Sequence, residues 1–324
     1  MRSPSILTIV LNYRTPDLTL RALEGAVRAM EGLAGGIVVV DNASGDGSLE
    51  RIARAVAAAG WDRDARVRVH ASPRNGGFGA GMNEGIRQGL PDGGRPDYVY
   101  LLNSDACPAP DAIRILVERL EADPRVGLAG SYVHGFDGVP HATAFRFPSA
   151  LGELEAAACL GPLTRLLADR VVALPIPESD REVDWVAGAS LLVRREVFDT
   201  VGAFDEGYFL YFEETDLCLR ARRAGFSTLY VRESRVAHEG SASTGMKGWT
   251  RVPSYWLDSR RRYFLAHHGR AGFVAATLAR LLGIGLHRAR LALAGRTATG
   301  PRRLALDLAA HAVRGARITS RSER

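Results

Sequence analysis

The sequence predicts an α/β fold, with a mostly parallel central sheet, helices on both faces and a helical C-terminal extension. Three observations carry this. Short apolar runs rich in β-formers alternate with helix-period segments through the first hundred residues. Polar residues collect where those runs end, and an arginine-rich, helix-like tail closes the chain.

Taken in order, Ile6 to Leu11 reads as a strand buried on both faces. Thr15 and Pro16 read as an N-cap followed by proline at the first helical position, and Leu20, Leu23, Val27 and Met30 recur at helical spacing. Gly35 and Gly36 end that helix, and Ile37 to Val40 is a second strand. A helix over about Ser48 to Ala59 precedes a strand at Val67 to Ala71, and a helix near Gly79 to Gln88 precedes a strand at Tyr98 to Leu102. This β-α-β-α-β-α-β order implies parallel neighbours joined by crossover helices. Asp111 to Glu121 is a further helix and Val126 to Val133 a strand. Between His134 and Arg181, prolines at 140, 148, 162, 175 and 177 loosen the pattern into loops and short helices, expected to cover a site. Val183 to Val193 is strand-like, Glu213 to Ala224 helical, and Ser227 to Val231 and Val236 to His238 are short strands. The expected division is a catalytic domain over 1–258, with a nucleotide-binding half over 1–133 and an acceptor half over 134–258, then a helical extension over 259–324.

With 324 residues, 46% hydrophobic and 24% charged, the chain belongs to the ordinary globular class and can bury a sizeable core. The first apolar run leads straight into Asn12, Tyr13 and Arg14, so no secretory signal is expected. Cys107, Cys159 and Cys218 lack metal-type spacing and cannot all pair, which fits buried thiols in a reducing cytoplasm. The net charge of +6 is unevenly spread: Arg260 to Arg324 holds fourteen arginines, no lysine and two acids, Asp307 and Glu323. A uniformly basic protein would suggest nucleic acid. Charge confined to an apolar, helix-like tail argues against that partner and points to an anionic membrane surface. Phe273 to Leu286 is too short, and too broken by Arg280, for a spanning helix. It either lies in the interface or packs on the catalytic domain with a solvated arginine face.

In open α/β sheets, ligands bind outside the carboxyl ends of the strands. Asn12 follows the first strand, Asp41 and Asn42 the second, Arg74 to Gly77 the third, and Asn103, Ser104 and Asp105 the fourth. Asp41 can accept hydrogen bonds from a ribose or a base edge, or shape an Asx-turn. No G-x-G-x-x-G follows the first strand and no G-x-x-x-x-G-K-[ST] occurs, which argues against dinucleotide and P-loop sites. A strand-terminal carboxylate such as Asp105 can hold a divalent cation that grips a diphosphate. Glu213, Glu214 and Asp216 crowd three acids where a helix begins, behind Tyr208, Phe209, Tyr211 and Phe212. Macrodipole complementarity is the plain reading of such acids. His238 ends a strand as Val236-Ala237-His238.

Together these segments resemble the family 2 glycosyltransferases of the GT-A fold, especially the bacterial rhamnosyltransferase-like branch. The resemblance rests on Thr8-Ile9-Val10-Leu11-Asn12-Tyr13, Val39-Val40-Asp41-Asn42-Ala43-Ser44, the run from Asn75 to Gly85, and Leu101-Leu102-Asn103-Ser104-Asp105. It continues through Gly188-Ala189, Gly202 to Glu206 and Phe212 to Leu217, and covers about residues 5 to 268. It implies that Asn12, Asp41, Asn42 and Ser44 line the nucleoside pocket, with Gly79 and Asn83 beside the nucleotide. Asn103, Ser104 and Asp105 would meet the diphosphate, Asp105 standing at the last position of the family's D-x-D metal motif, where Asn103 replaces the first Asp. His238 would complete binding of Mg²⁺ or Mn²⁺. Glu214 matches the second acid of the family's acidic pair, the usual catalytic base, with Glu213 as competitor because the pair here is Glu-Glu. Trp185, Gly188, Tyr211 and Asp216 are expected toward sugar or acceptor. The implied reaction is inverting transfer from a nucleotide-diphosphate sugar, dTDP-L-rhamnose before UDP- or GDP-sugars, to a glycan or polyprenyl-linked acceptor. The implied place is the cytoplasm or the inner face of the cell membrane. A non-catalytic nucleotide-sugar binding module and a nucleotidyltransferase are the competing classes. A nucleotidyltransferase would carry a Gly-rich basic loop after the first strand, which is missing.

Overall fold

The computed structural model describes residues 3–63, 66–240, 249–297, 300–301 and 303–322, with side chains as far as 314. Arg317, Arg321 and Arg324 of the basic tail therefore lie outside the described side chains. The chain divides into two compact units: 1–145, 174–209 and 213–244 in one, and 146–173, 210–212 and 245–324 in the other. The second unit thus takes in 146–173 and 245–258, which the sequence reading assigned to the catalytic domain.

The first unit is built on one sheet. Strands β1 (Ser5–Asn12), β2 (Ala34–Asp41), β3 (Val67–Ala71) and β4 (Tyr98–Asn103) are parallel, joined by helices α1 (Pro16–Ala29), α2 (Ser48–Ala58) and α3 (Phe78–Gln88). β1 is buried along its whole length because helices cover both faces, which is why it reads as an unbroken apolar run. β5 (Ala106–Pro108), α4 (Ala112–Ala122), β6 (Val126–His134) and β7 (Ala144–Phe145) follow, then β8 (Arg181–Val183), β9 (Trp185–Val186) and β10 (Ser190–Arg194). After α7 (Arg195–Val201) and α8 (Glu213–Arg223), β11 (Ser227–His238) completes the order β3-β2-β1-β4-β10-β6-β11-β5, with β8 paired to β11 and β7 to β9. Helices α5 (Ala150–Ala158) and α6 (Gly161–Leu166) belong to the second unit, with α9 (Ser254–Leu293) and α10 (Leu304–Ser322).

Several local expectations are corrected. Thr15 stands at the N-cap, but its hydroxyl does not cap α1; it donates to the Ser104 hydroxyl at 3.2 Å. Gly35 and Gly36 lie inside β2 rather than ending a helix, and the turn after α1 is made at Gly32. Val183 to Val193 is three short strands, split where the chain passes from the edge of the sheet to its middle. The two strands expected after Ser227 are one strand carrying a bulge between Val231 and Arg235. All three cysteines are free, yet Cys218 alone is buried and Cys159 is exposed.

The glycine cluster after β3 is a packing device. A Cβ at Gly81 would stand 2.5 Å from Leu11 and one at Gly85 2.6 Å from Ile9, so α3 lies flush on β1. Gly77 has φ 90°, and a Cβ there would strike the Phe209 carbonyl at 1.7 Å. That approach lets the Phe78 amide donate to Phe209 O at 3.0 Å, tying the loop before α8 to the loop before α3.

Candidate active site

The strand ends converge as the sheet topology requires. Asn12 ends β1 and is fully buried; its Nδ2 donates to Asp41 Oδ1 at 2.6 Å, and its Oδ1 accepts from Thr19 Oγ1 at 2.7 Å. Asp41 ends β2 and accepts twice more, from the Ser44 hydroxyl at 2.6 Å and the Ser44 amide at 3.0 Å. The Asx-turn is therefore present, inside a buried network that also holds the Arg14 amide on Ser44 Oγ. Asn42 Nδ2 donates to Asn75 Oδ1 and Gly77 O, while its Oδ1 is buried with no hydrogen-bond partner.

At the ends of β4 and β11, Asp105 and His238 meet. The short strand β5 pairs antiparallel to β11 and sets His238 opposite Ala106, so His238 Nε2 lies 3.0 Å from Asp105 Oδ1. Asn103 Nδ2 stands 3.4 Å from the same imidazole nitrogen. Two donors bound cis to one divalent ion at about 2.1 Å would stand about 3 Å apart, so this pair fits Mg²⁺ or Mn²⁺. No group of three or more His, Cys, Asp and Glu that could hold a metal occurs among the described residues. Asp105 and His238 would therefore supply two ligands and leave the remaining positions to substrate oxygens and water. A residue missed in the sequence stands beside them: the His141 ring packs edge-on to His238 at 6.2 Å. It lies in the proline-loosened stretch, where no periodicity marks a position.

The acids of α8 form the third group. The chain enters this helix through Tyr211 (φ 69°) and Phe212 (φ 71°), two consecutive non-glycine residues in the left-handed region, a costly conformation concentrated at functional sites. Glu213 is 3% exposed, and the Oε2 atoms of both Glu213 and Glu214 are buried without a hydrogen-bond partner. Burial holds the Glu213 carboxyl well above the usual range, and the neighbouring Glu214 pushes it further. Burial likewise raises Glu214, opposed by backbone N–H groups, including that of Gly188. The helix dipole explains acids at this terminus. It does not explain two carboxyls with unsatisfied buried oxygens, which occur where a ligand is awaited. One residue beyond Gly188, Ala189 O accepts the Asn103 amide at 3.1 Å, so the acid pair and the Asp105–His238 pair flank one stretch of backbone.

The structure places the other expected site residues as follows. Asn83 grips Phe204 through both amide atoms, accepting from its N–H at 3.0 Å and donating to its C=O at 2.8 Å. Gly79 packs against Phe204 and Glu213. Asp216 accepts from Arg220 Nε at 2.7 Å, and that guanidinium ties down the carbonyls of Val201, Gly202 and Ala203. Trp185 stacks on Phe145 at 4.2 Å, and Tyr211 lies in the second unit against Trp249 and Tyr255. Ser104 stays at the β4 end, and Gly188 is where the backbone passes Phe78 and Glu214.

The mostly parallel sheet, with a polar network at its strand ends, an Asp–His pair and a buried acid pair, fits a glycosyltransferase of the GT-A fold. The profile of glycosyltransferase-like family 2 matches residues 4–273, and the chain belongs to that family. The N-acetylglucosaminyl-diphospho-decaprenol L-rhamnosyltransferase of Mycobacterium tuberculosis is 31% identical over 255 residues, covering 68% of this chain and 78% of that protein. Rhamnosyltransferase WbbL of Escherichia coli is 48% identical over 60 residues, covering 18% of this chain and 23% of its own. Among solved structures, the mannosyltransferase PcManGT from Pyrobaculum calidifontis, in complex with GDP-Man and Mn²⁺, superposes with TM-score 0.57 at 17% identity. That match covers 98% of this chain and 81% of the other, and it supports the fold.

Proposed function

We propose that this glycosyltransferase moves L-rhamnose from dTDP-L-rhamnose to a hydroxyl of a polyprenyl-diphosphate-linked glycan, with inversion, at the inner face of the cell membrane. The carrying observation is the Glu214 carboxyl at the start of α8, raised by burial and left with an unsatisfied buried oxygen. The L-rhamnosyltransferase of M. tuberculosis supports the sugar and the lipid-linked acceptor.

Glu214 takes the acceptor hydroxyl proton as that oxygen bonds to the anomeric carbon, and the bond to the diphosphate oxygen breaks with its electron pair leaving on the diphosphate. Burial and the neighbouring Glu214 raise the Glu213 carboxyl, which disfavours a second negative charge next to the base. Asp105 and His238 would hold Mg²⁺ or Mn²⁺, which neutralises charge on the departing diphosphate. Asp41 keeps lone-pair capacity on Oδ2 for a nucleobase N–H, and Asn12 and Ser44 fix its orientation.

The test is a donor screen with Mg²⁺ or Mn²⁺, following release of dTDP, UDP or GDP. Turnover of dTDP-L-rhamnose ahead of the other donors supports the reading. Preference for a UDP- or GDP-sugar sinks the donor assignment, and no turnover of any donor with lipid-linked acceptor sinks the enzyme.

A further inference from the structure

Helix α9 is longer than the sequence pattern suggested. It bends at Gly269 (φ 67°), and its second part runs on to Leu293, so by length and composition it is apolar enough to cross a membrane. Its inner face packs on α5. Phe273, Ala276, Thr277 and Gly283 are buried, and a Cβ at Gly283 would stand 2.7 Å from both Ala157 Cβ and Leu154 O of α5. Arg280 turns to this inner side too: its NH1 donates to Glu153 Oε2 at 3.0 Å, and its guanidinium lies over the Trp256 ring. Arg260 grips the same carboxylate at 3.1 Å.

With Arg280 turned inward, the outer face between Arg270 and Arg288 carries no charge. Ala271, Val274, Ala275, Leu278, Leu282, Gly285 and Leu286 are all exposed, and none bears a polar side chain. Val274, Leu278, Leu282 and Leu286 follow one another every fourth residue and are between 41% and 61% exposed. A continuous apolar stripe four turns long, in water, marks an interaction surface. The charges around it say which kind. Arg261, Arg262 and Arg270 precede the stripe, and Arg288, Arg290 and Arg296 follow it. A protein partner is met by a rim of mixed polarity. An apolar stripe with cations at both ends matches a bilayer, where leucines enter the acyl boundary and arginines snorkel to phosphates.

We propose that α9 lies flat in the surface of an anionic membrane, with Val274, Leu278, Leu282 and Leu286 inserted and the exposed Arg288 and Arg290, beside the C-terminal end of the stripe, on lipid phosphates. This deepens the reading that the acceptor is lipid-linked, and it names the face that brings the enzyme to it.

The test is sedimentation of the full chain with phosphatidylcholine vesicles, alone or containing about one-third phosphatidylglycerol. No donor or acceptor is present, so failure here leaves the transfer reaction untouched, and Glu214→Gln should bind as wild type does. Expected is binding that favours the anionic vesicles and weakens with salt. Leu278→Glu/Leu282→Glu should lower it at least about tenfold, with circular dichroism and melting temperature retained. Arg288→Glu/Arg290→Glu should remove the preference for anionic lipid. Absence of sedimentation, or a leucine variant that binds as wild type does, overturns the proposal. So does a lipid-free dimer, seen by analytical ultracentrifugation, that the leucine variant dissociates, since the stripe would then join two copies of this chain.

Discussion

Asp41 and the Glu213–Glu214 pair are carboxylates buried in the same unit, and their surroundings are opposite. Asp41 accepts three hydrogen bonds, from Asn12 and twice from Ser44, so it completes the frame that joins β1 to β2. Each of the two glutamates leaves one buried oxygen with no partner, and burial pushes both carboxyls upward. A saturated buried acid stabilises the fold, whereas an unsaturated one costs stability and is retained where chemistry needs it. The buried acids of this unit thus separate into a saturated one at a strand end and two unsaturated ones at the start of α8.

Glu214→Gln gives the largest expected effect. Removing a general base lowers kcat by about a thousandfold, while the folded protein stays at least as stable because a buried charge is gone. The check is steady-state rate at saturating donor and acceptor alongside a melting curve. A variant within tenfold of wild type would move the base to Glu213 or elsewhere. Next comes the metal pair. Asp105→Asn, or excess chelator on the wild type, should cost about a hundredfold in kcat/KM, since a cation contributes several kcal/mol at a departing diphosphate. Full activity in chelator would leave the 3.0 Å Asp105–His238 contact as a structural hydrogen bond.

Asp41→Asn tests the other side of the comparison. Losing a carboxylate that accepts three bonds should destabilise the fold by about 2 kcal/mol, read from urea unfolding. Donor KM should rise about tenfold with kcat little changed, the signature of binding shared by ground and transition states. If stability falls and KM does not move, Asp41 belongs to the frame alone.

Much of the fold was legible because β1, β4 and most of β2 are buried on both faces, which writes continuous apolar runs between turn signals. Asp41, Asp105, Glu214 and His238 could be singled out because they stand at element ends. What could not be read was pairing. The register that brings Asp105 to His238 is set by β5, three residues long, which carries no periodicity of its own. Asn83 and Asp216 sit in motifs as conspicuous as the others, and the sequence does not show that they bond to Phe204 and Arg220. The outward stripe on α9 was hidden for a similar reason: Arg280 interrupts the run in sequence but turns inward in space.

Glu213→Gln should be the mildest on rate and the sharpest test of saturation. If Glu213 is protonated in the working enzyme, glutamine reproduces its charge, and kcat should stay within about tenfold of wild type. Stability should then depend on pH in one direction. Below the ordinary glutamate pKa of about 4.3, both folded and unfolded wild-type chains hold the proton, and the variant gains little. As pH rises, the unfolded chain ionises while the buried carboxyl, raised by desolvation and by Glu214, keeps its proton. The folded wild type therefore loses about 1.4 kcal/mol per pH unit relative to the variant, until pH passes the raised folded pKa. Paired melting curves from pH 4 to 8 should show the variant's advantage widening by a few degrees and then levelling. A gap that stays constant across that range would mean that Glu213 ionises normally in the folded state. The contrast with Asp41 would then rest on Glu214 alone.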